Sequence, residues 1–171
     1  MAFDNTNKRD ILIMANFPNV GKIREIQKKY YDIADKIGPH IALTFPFDSD
    51  MPDEELYERL SKVAERYKPF KITCKGVSTP VSEPDHRFLN IVENKDIIKS
   101  MSDDIYLNII PKELEYRDKY NYDPHITLAN KPLNEEIILD DTFDMIVDTL
   151  YVERIGSDDE SIKLYDIKLN L

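Results

Sequence analysis

Tryptophan is absent from this chain, and cysteine and glycine are scarce, with one cysteine and four glycines in 171 residues. Cys74 has no second cysteine with which to form an internal disulfide, and no Cys-x-x-Cys pair exists to hold a metal ion or a redox disulfide. This cysteine usage is typical of a reducing compartment. We therefore expect a cytoplasmic protein.

Long apolar segments and an excess of basic charge are also missing. No window approaches the roughly 18 apolar residues of a transmembrane helix, and residues 1–7 lack the basic start and apolar stretch of a signal peptide. Asp and Glu number 33 against 23 Lys and Arg, which gives a formal charge of -10. Since such a surface repels polyanions, we expect no binding of long nucleic acid. The missing apolar segments predict that the chain does not interact with a membrane.

The spacing of apolar residues predicts alternating strands and helices. The pattern favours strands over residues 11–17, 40–47, 70–77, 87–93 and 124–129, helices over 20–37, 52–67, 96–110 and 134–139, and a closing antiparallel hairpin around 156–160. This order indicates an α+β protein built from two roughly similar halves. No low-complexity linker separates the halves, so we expect residues 1–171 to form a single domain of two lobes.

Two of the three histidines lie in nearly the same pentapeptide. Residues 39–43 read Pro-His-Ile-Ala-Leu and residues 124–128 read Pro-His-Ile-Thr-Leu, which places His40 and His125 in equivalent positions of two predicted strands. Chance would produce such a match around two of three histidines with odds of roughly one in a few hundred. Two strands related by a rough two-fold would aim the histidines at each other across a cleft.

Two imidazoles facing one pocket suit concerted proton transfer. With an ordinary pKa near 6.5, one ring is neutral and accepts a proton while the other is protonated and donates one. A phosphodiester is the natural substrate of such a pair, because one proton must leave the nucleophile and another must reach the leaving oxygen. Thr127 lies two residues after His125, hence on the same strand face, and is a candidate donor to a nonbridging oxygen.

The two motifs resemble the paired His-x-Thr/Ser signatures of the two-histidine (2H) phosphoesterase superfamily, in its 2′-5′ RNA ligase-like branch. The resemblance extends to Phe-Pro-Phe at 45–47, to Tyr122 just before the second motif, and to the Leu-Asn-Leu ending of the last strand. It implies a bilobal fold of two antiparallel sheets with helices outside and a central cleft. It also implies metal-independent chemistry, without a cofactor, on 2′,3′-cyclic phosphates or 2′-5′ linkages of RNA ends or small nucleotides.

Within this resemblance, His40 and His125 are the acid/base pair, and Thr127, Thr44 and Tyr122 are candidate substrate contacts. The first motif departs from the family pattern because Ala42 occupies the position of the Thr or Ser hydroxyl. Thr44 is predicted on the same face, but it lies roughly 6 to 7 Å further along the strand, too far to replace that hydroxyl directly. Loss of one such donor costs roughly 3 kcal/mol of transition-state stabilisation in oxyanion holes.

Three hypotheses about the function therefore stay open. The first is a small cyclic phosphodiesterase, a hydrolase that acts as a monomer. The second, motivated by Ala42, is a catalytically weak module of the same fold that binds a nucleotide or an RNA end. The third is a structural α+β protein with unrelated histidines. His86, the remaining histidine, is predicted to be an ordinary surface residue, because no second ligand stands at metal-binding spacing from it.

Overall fold

The structure is a computed structural model that describes residues 10–17, 20–155 and 161–170. Within these ranges the strands are β1 (Asp10–Asn16), β2 (His40–Ala42), β3 (Phe70–Ser78), β4 (Arg87–Glu93), β5 (His125–Ala129), β6 (Phe143–Val147), β7 (Thr149–Ile155) and β8 (Ser161–Lys168). The helices are α1 (Gly21–Tyr30), α2 (Asp53–Ala64), α3 (Lys95–Ile109) and α4 (Leu114–Lys119), and a 3₁₀ turn, Pro111–Glu113, precedes α4. The predicted α+β class is confirmed.

All eight strands join one antiparallel sheet in the order β6-β3-β4-β5-β2-β1-β7-β8. The order is symmetric about the junction of β5 with β2, so each lobe contributes four strands. The expectation of two separate sheets therefore differs from the described fold, in which the short β2 hydrogen-bonds to β5 and makes the sheet continuous. The lobes are also not successive halves of the chain, because β7 and β8 return to the lobe of β1 and β2.

The larger hydrophobic core lies on one face of this sheet. Ile41 of β2 and Ile126 of β5 are fully buried there, together with the apolar stripes of α2 and α3, which pack against each other. Asp53, Glu54 and Glu55 occupy the first turn of α2, where carboxylates favour the positive end of the helix dipole. Because side chains alternate along a strand, His40 and His125 lie on the opposite face.

Two of the predicted helices differ in the structure. α1 ends at Tyr30 rather than near residue 37, because Tyr31 is extended and Asp32 is held by Asn130 through its backbone N–H and its carboxylate. Residues 134–139 are not helical. There Glu136 forms an ion pair with Arg87, and the extra helix of this half is instead α4, which follows the Pro111 stop of α3.

The strand predicted over residues 40–47 keeps its alternation only as far as Leu43. The backbone N–H groups of Leu43 and Thr44 both donate to the carbonyl of Ile13, at 2.8 and 3.3 Å, so two consecutive residues face one partner. This irregularity shifts the alternation by one residue, as a β-bulge does. Thr44 turns inward and Phe45, predicted to be a core residue, turns toward the cleft.

The predicted closing hairpin is present as β7 and β8, which pair antiparallel from Thr149 with Lys168 to Ile155 with Ser161. Its turn, residues 156–160, lies outside the described residues. The alternating segment before this turn forms two strands and not one. β7 pairs with β8, whereas β6 pairs with β3 at the opposite edge of the sheet. None of the helices in the described ranges has the length and apolarity that a transmembrane span requires.

Candidate active site

The two histidines are brought together by the ladder that joins the lobes. Ile41 pairs with Ile126, and the antiparallel register therefore sets His40 opposite Thr127 and Ala42 opposite His125. Directly opposed residues of such a ladder have Cβ atoms about 5 Å apart, and diagonal neighbours such as the two histidines lie about 7–8 Å apart. The structure thus places both imidazoles on one face of adjacent strands, as the duplicated motif predicts.

Both rings are oriented by the same kind of backbone contact. The Nδ1 atom of His40 lies 2.9 Å from the carbonyl oxygen of Gly38, and that of His125 lies 2.7 Å from the carbonyl oxygen of Asp123. A carbonyl only accepts, so Nδ1 carries the proton in each ring and Nε2 of the neutral ring is an acceptor. Each histidine thus presents Nε2 for proton transfer.

His125 is more exposed than His40, and two neighbouring side chains contact its ring. Its Nε2 atom lies 3.2 Å from Oγ1 of Thr127, whose hydroxyl donates to it when the ring is neutral. The ring of Phe88 stacks on the imidazole with a centroid separation of 3.5 Å. An aromatic face stabilises a cation placed over it, so this stack favours the protonated ring.

The charges around the rings differ between the lobes. Burial lowers the pKa of His40, which is 9% exposed; the Gly38 carbonyl opposes this effect and a positive His125 adds to it. Burial also lowers the pKa of His125, but the Asp123 carbonyl and the carboxylates of Asp123 and Glu83 oppose it. The carboxylates beside His125 thus favour its protonation, and a charge on His125 lowers the pKa of His40.

The pseudo-symmetry extends to the strands that flank the pair. Asn16 of β1 lies opposite His40, just as Asn90 of β4 lies opposite His125. The next pairs differ in chemistry: Met14 opposes Ala42, whereas Phe88 opposes Thr127. The lobe of His40 is therefore apolar where the lobe of His125 carries a hydroxyl and an aromatic ring.

A cavity of about 540 Å³ opens on the His125 side of the site. Ala42 and His125 form part of its wall, and its other walls are largely aromatic, from Phe45, Phe88, Tyr120 and Tyr122. The carboxylate residues Glu83 and Asp123 also line it. Its volume falls in the range of about 300–1,000 Å³ typical of small-ligand sites. The cavity can hold an apolar, planar group beside a phosphate at the histidines.

Tyr122 and Phe45 are held in this wall by a buried arginine. Arg117 is 5% exposed and lies over the rings of Tyr106 and Tyr122, 5.2 and 5.1 Å from their centroids, while Asp103 and Asp118 pair with its guanidinium. The Tyr106 hydroxyl accepts the backbone N–H of Phe45 at 2.9 Å. Burial raises the pKa of Tyr122 beyond its ordinary value, so its hydroxyl stays protonated and donates.

Thr44, expected to contact the substrate, is placed elsewhere. Its side chain is fully buried, and its hydroxyl accepts the backbone N–H of Ile13 at 3.2 Å, as a result of the shifted alternation after Leu43. Thr44 therefore lies outside the site, contrary to the expectation from the sequence. His86 is closer to the site than expected, since its ring forms a T-shaped pair with that of Phe88, 6.1 Å between centroids, and its charge lowers the pKa of His125.

Several residues of the site were not found from the sequence. Phe88, Asn90 and Asn16 reach it through cross-strand register, and Tyr120 and Glu83 through the loops that meet at the cavity, so no motif marks them. Among residues 10–17, 20–155 and 161–170, no three His, Cys, Asp or Glu side chains converge as a metal site requires. The expectation of metal-independent chemistry stays a prediction.

Comparison with known families decides the relationship. The family model of the 2′-5′ RNA ligase superfamily matches residues 15–159, which include both histidine motifs and most of the chain. The chain belongs to the 2′-5′ RNA ligase superfamily. The predicted membership of this branch of the 2H phosphoesterases is thereby confirmed. No curated protein matches the sequence.

Solved structures share the fold of this superfamily member at low identity. LigT of E. coli complexed with NADP+ superimposes with a TM-score of 0.68 at 15% identity, covering 96% of this chain and 100% of LigT. LigT complexed with phosphate gives 0.65 at 16% identity, covering 97% and 100%. TT0787 of Thermus thermophilus gives 0.68 at 17% identity, covering 94% and 98%. The LigT-type fold of this 2′-5′ RNA ligase superfamily member is therefore established over nearly its full length.

Proposed function

We propose that the protein is a metal-independent phosphoesterase that opens 2′,3′-cyclic phosphates, or cleaves 2′-5′ phosphodiesters, of RNA ends or small nucleotides. The observation that carries the proposal is the pairing of β2 with β5, which sets His40 and His125 on one face with Nδ1 of each ring fixed by a carbonyl. Membership of the 2′-5′ RNA ligase superfamily supports phosphoester chemistry. Two imidazoles supply both proton transfers that such chemistry requires.

The electrostatics favour one assignment of roles. Neutral His40 accepts a proton from the attacking water through Nε2, because burial and the charge of its partner oppose its protonation. His125 in its protonated form donates from Nε2 to the leaving oxygen. Burial lowers the pKa of this ring, and Asp123, Glu83 and the Phe88 ring oppose that effect by favouring the charged form. Water adds to phosphorus, the bond to the 3′ oxygen breaks, and the product is a 2′-phosphomonoester with a free 3′ hydroxyl.

Thr127 is proposed to hold the phosphate during this reaction. In the free protein its hydroxyl lies against Nε2 of His125. When that nitrogen is protonated it no longer accepts, so the hydroxyl is released to donate to a nonbridging oxygen. Removing one donor of this kind slows catalysis by about 10²- to 10³-fold in other enzymes.

The experiment is hydrolysis of 2′,3′-cyclic nucleotides in the presence of a chelator. We expect turnover by the unaltered protein and its loss in His40→Gln and His125→Gln. Lys62→Gln serves as the control, because Lys62 is exposed on α2, which packs on the opposite face of the sheet. Absence of turnover in the unaltered protein, or turnover that survives both histidine changes, contradicts the proposal.

A second candidate function is a binding module with little catalysis. Ala42 favours it, because the first motif lacks the hydroxyl that Thr127 supplies in the second. In that case nucleotides bind without turnover. Adding the hydroxyl back separates the two candidates, as described in the Discussion.

Three further expectations accompany the proposal. The partner is a small nucleotide or an RNA end rather than a long nucleic acid, since the chain carries a formal charge of -10. The protein acts as a monomer, and it works in the cytoplasm, consistent with its single free cysteine, Cys74. Size-exclusion chromatography and cell fractionation test these last two points.

A further inference from the structure

Two exposed tyrosines continue the aromatic wall of the cavity onto the surface. Phe45, in the wall, makes edge-to-face contacts with Tyr122 at 6.2 Å and with Tyr116 at 6.3 Å between ring centroids. Tyr116 in turn lies 4.6 Å from Tyr120, with the two planes tilted by 49°. An unbroken chain of aromatic contacts therefore runs from the cavity to α4.

The outer part of this chain is open to solvent. Tyr116 is 50% exposed and Tyr120 is 58% exposed, whereas Tyr106 on the neighbouring helix is buried. Tyr120 lines the cavity and Tyr116 lies beyond the lining residues. The pair thus extends from the cavity mouth to the surface of α4.

The segment that carries the pair is anchored, although both rings are exposed. Arg117 lies between the two tyrosines in sequence, is buried, and is tied to Ser102, Asp103 and Asp118. The backbone N–H of Tyr120 donates to the carbonyl of Tyr116 at 3.2 Å, and the chain then turns through the left-handed Asn121 toward Tyr122. A fixed pair of aromatic faces loses little conformational entropy when a ligand binds.

We infer that Tyr116 and Tyr120 form a stacking site for the second nucleobase of an RNA end, next to the base that enters the cavity. The inference rests on the proposed function, because it takes the phosphodiester at His40 and His125 as the starting point. Where a 2′,3′-cyclic phosphate ends the RNA, the neighbouring nucleotide lies on the 5′ side alone. The base of this 5′ nucleotide therefore lies outside the cavity, along the aromatic contacts that lead to α4.

The chemistry of the surface matches an unpaired base. Aromatic side chains stack on any base, because every base has a π face, so the site needs no sequence preference. Lys119, exposed in the last turn of the same helix, supplies a cation on the segment that carries the two tyrosines. The acidic surface elsewhere opposes a longer chain. The favoured substrate is therefore an RNA end recognised over two nucleotides.

The test compares equilibrium binding of an adenosine mononucleotide and of a diadenosine dinucleotide, each ending in a 2′-phosphate, by isothermal titration calorimetry. Unaltered protein is expected to bind the dinucleotide about tenfold more tightly, in keeping with the stacking of one base. This ratio should fall toward one in Tyr116→Leu and Tyr120→Leu. It should be retained in Tyr116→Phe and Tyr120→Phe, which keep the ring and control for folding.

A ratio near one in the unaltered protein, the same ratio in the leucine variants, or no binding of either ligand overturns the inference. Hydrolysis of the two matching cyclic phosphates is measured in parallel. Turnover without a dinucleotide preference contradicts the stacking site and is consistent with the proposed function. A dinucleotide preference in binding without turnover supports the stacking site and contradicts the enzymatic function.

Discussion

The phenolic hydroxyl of Tyr122 donates a 2.8 Å hydrogen bond to the carbonyl oxygen of Ala42. It joins the segment just before the second histidine strand to the last residue of the first, β2. The register pair between β2 and β5 is the single pair of Ile41 with Ile126. Tyr122 therefore reinforces the junction that sets the distance between the two histidines, in addition to lining the cavity.

Replacing Tyr122 by Phe should lower the free energy of unfolding by about 1 kcal/mol, because the ring stays and one hydrogen bond is lost. Urea unfolding measures this change. Tyr116→Phe is the matched control, since that ring is half exposed, and it should change the value by less than about 0.5 kcal/mol. Equal effects of the two changes would show that the Tyr122 hydroxyl does not support the junction.

Replacing Ala42 by Thr should place a hydroxyl two residues after His40, as Thr127 stands two residues after His125. A gain of about 10²-fold or more in kcat/KM from near-zero turnover, by analogy with oxyanion-hole donors, favours the weak binding module. A small change in an already active protein favours the enzyme. Ala42→Val controls for the added bulk, because it branches at Cβ without a donor, and its rate should not rise.

Stability should depend on pH through the two buried histidines. Burial lowers the pKa of both His40 and His125 below 6.5, so the unfolded chain binds protons first as pH falls. Their contribution to stability is therefore complete above about pH 6.5 and is lost as pH decreases through the folded-state values. Urea unfolding between pH 5 and 8 should show a shallower decline in the doubly substituted His40→Gln/His125→Gln protein. Identical slopes would contradict burial as the cause.

Replacing Arg117 by Lys keeps the charge but removes the planar group that reaches Ser102, Asp103 and Asp118 together. Since both carboxylates are half exposed, we expect a loss of about 1–2 kcal/mol rather than the larger cost of a fully buried pair. The kcat/KM for a cyclic nucleotide should fall as well, because Tyr122 and Phe45 lose their support. Denaturant unfolding and steady-state kinetics measure the two effects; unchanged kinetics would show that the arginine stabilises the fold alone.

Substrate length gives a further prediction. With a formal charge of -10, the protein should act faster on mono- or dinucleotides than on long RNA at low salt. Added salt should narrow the difference, because screening weakens the repulsion. Competition between a dinucleotide and a long RNA with the same cyclic phosphate end measures the preference, and a preference for the long RNA would show that net charge is a poor guide here.

The sequence was sufficient to predict the features that depend on local pattern. The strands of both motifs and the helices α2 and α3 followed from apolar spacing, and the superfamily followed from the resemblance of the two histidine motifs to a known family. The sequence was insufficient to predict side-chain positions that tertiary contacts determine. The shared Ile13 carbonyl turned Thr44 inward and Phe45 outward, and the stack of Phe88 on His125 depends on register between β4 and β5, which no local pattern encodes.

The interleaving of the lobes has a consequence for synthesis on the ribosome. Strands β3 to β6 form one lobe from a continuous stretch of chain. The lobe of β1 and β2 is completed by β7, which pairs with β1, and by β8, which pairs with β7, and both are made at least 100 positions later. Until Thr149–Ile155 emerges, one edge of β1 has no strand beside it and is open to pairing with other chains. The lobe that holds His40 therefore contains the first strands to be synthesised, but it is the last lobe whose strands can all pair.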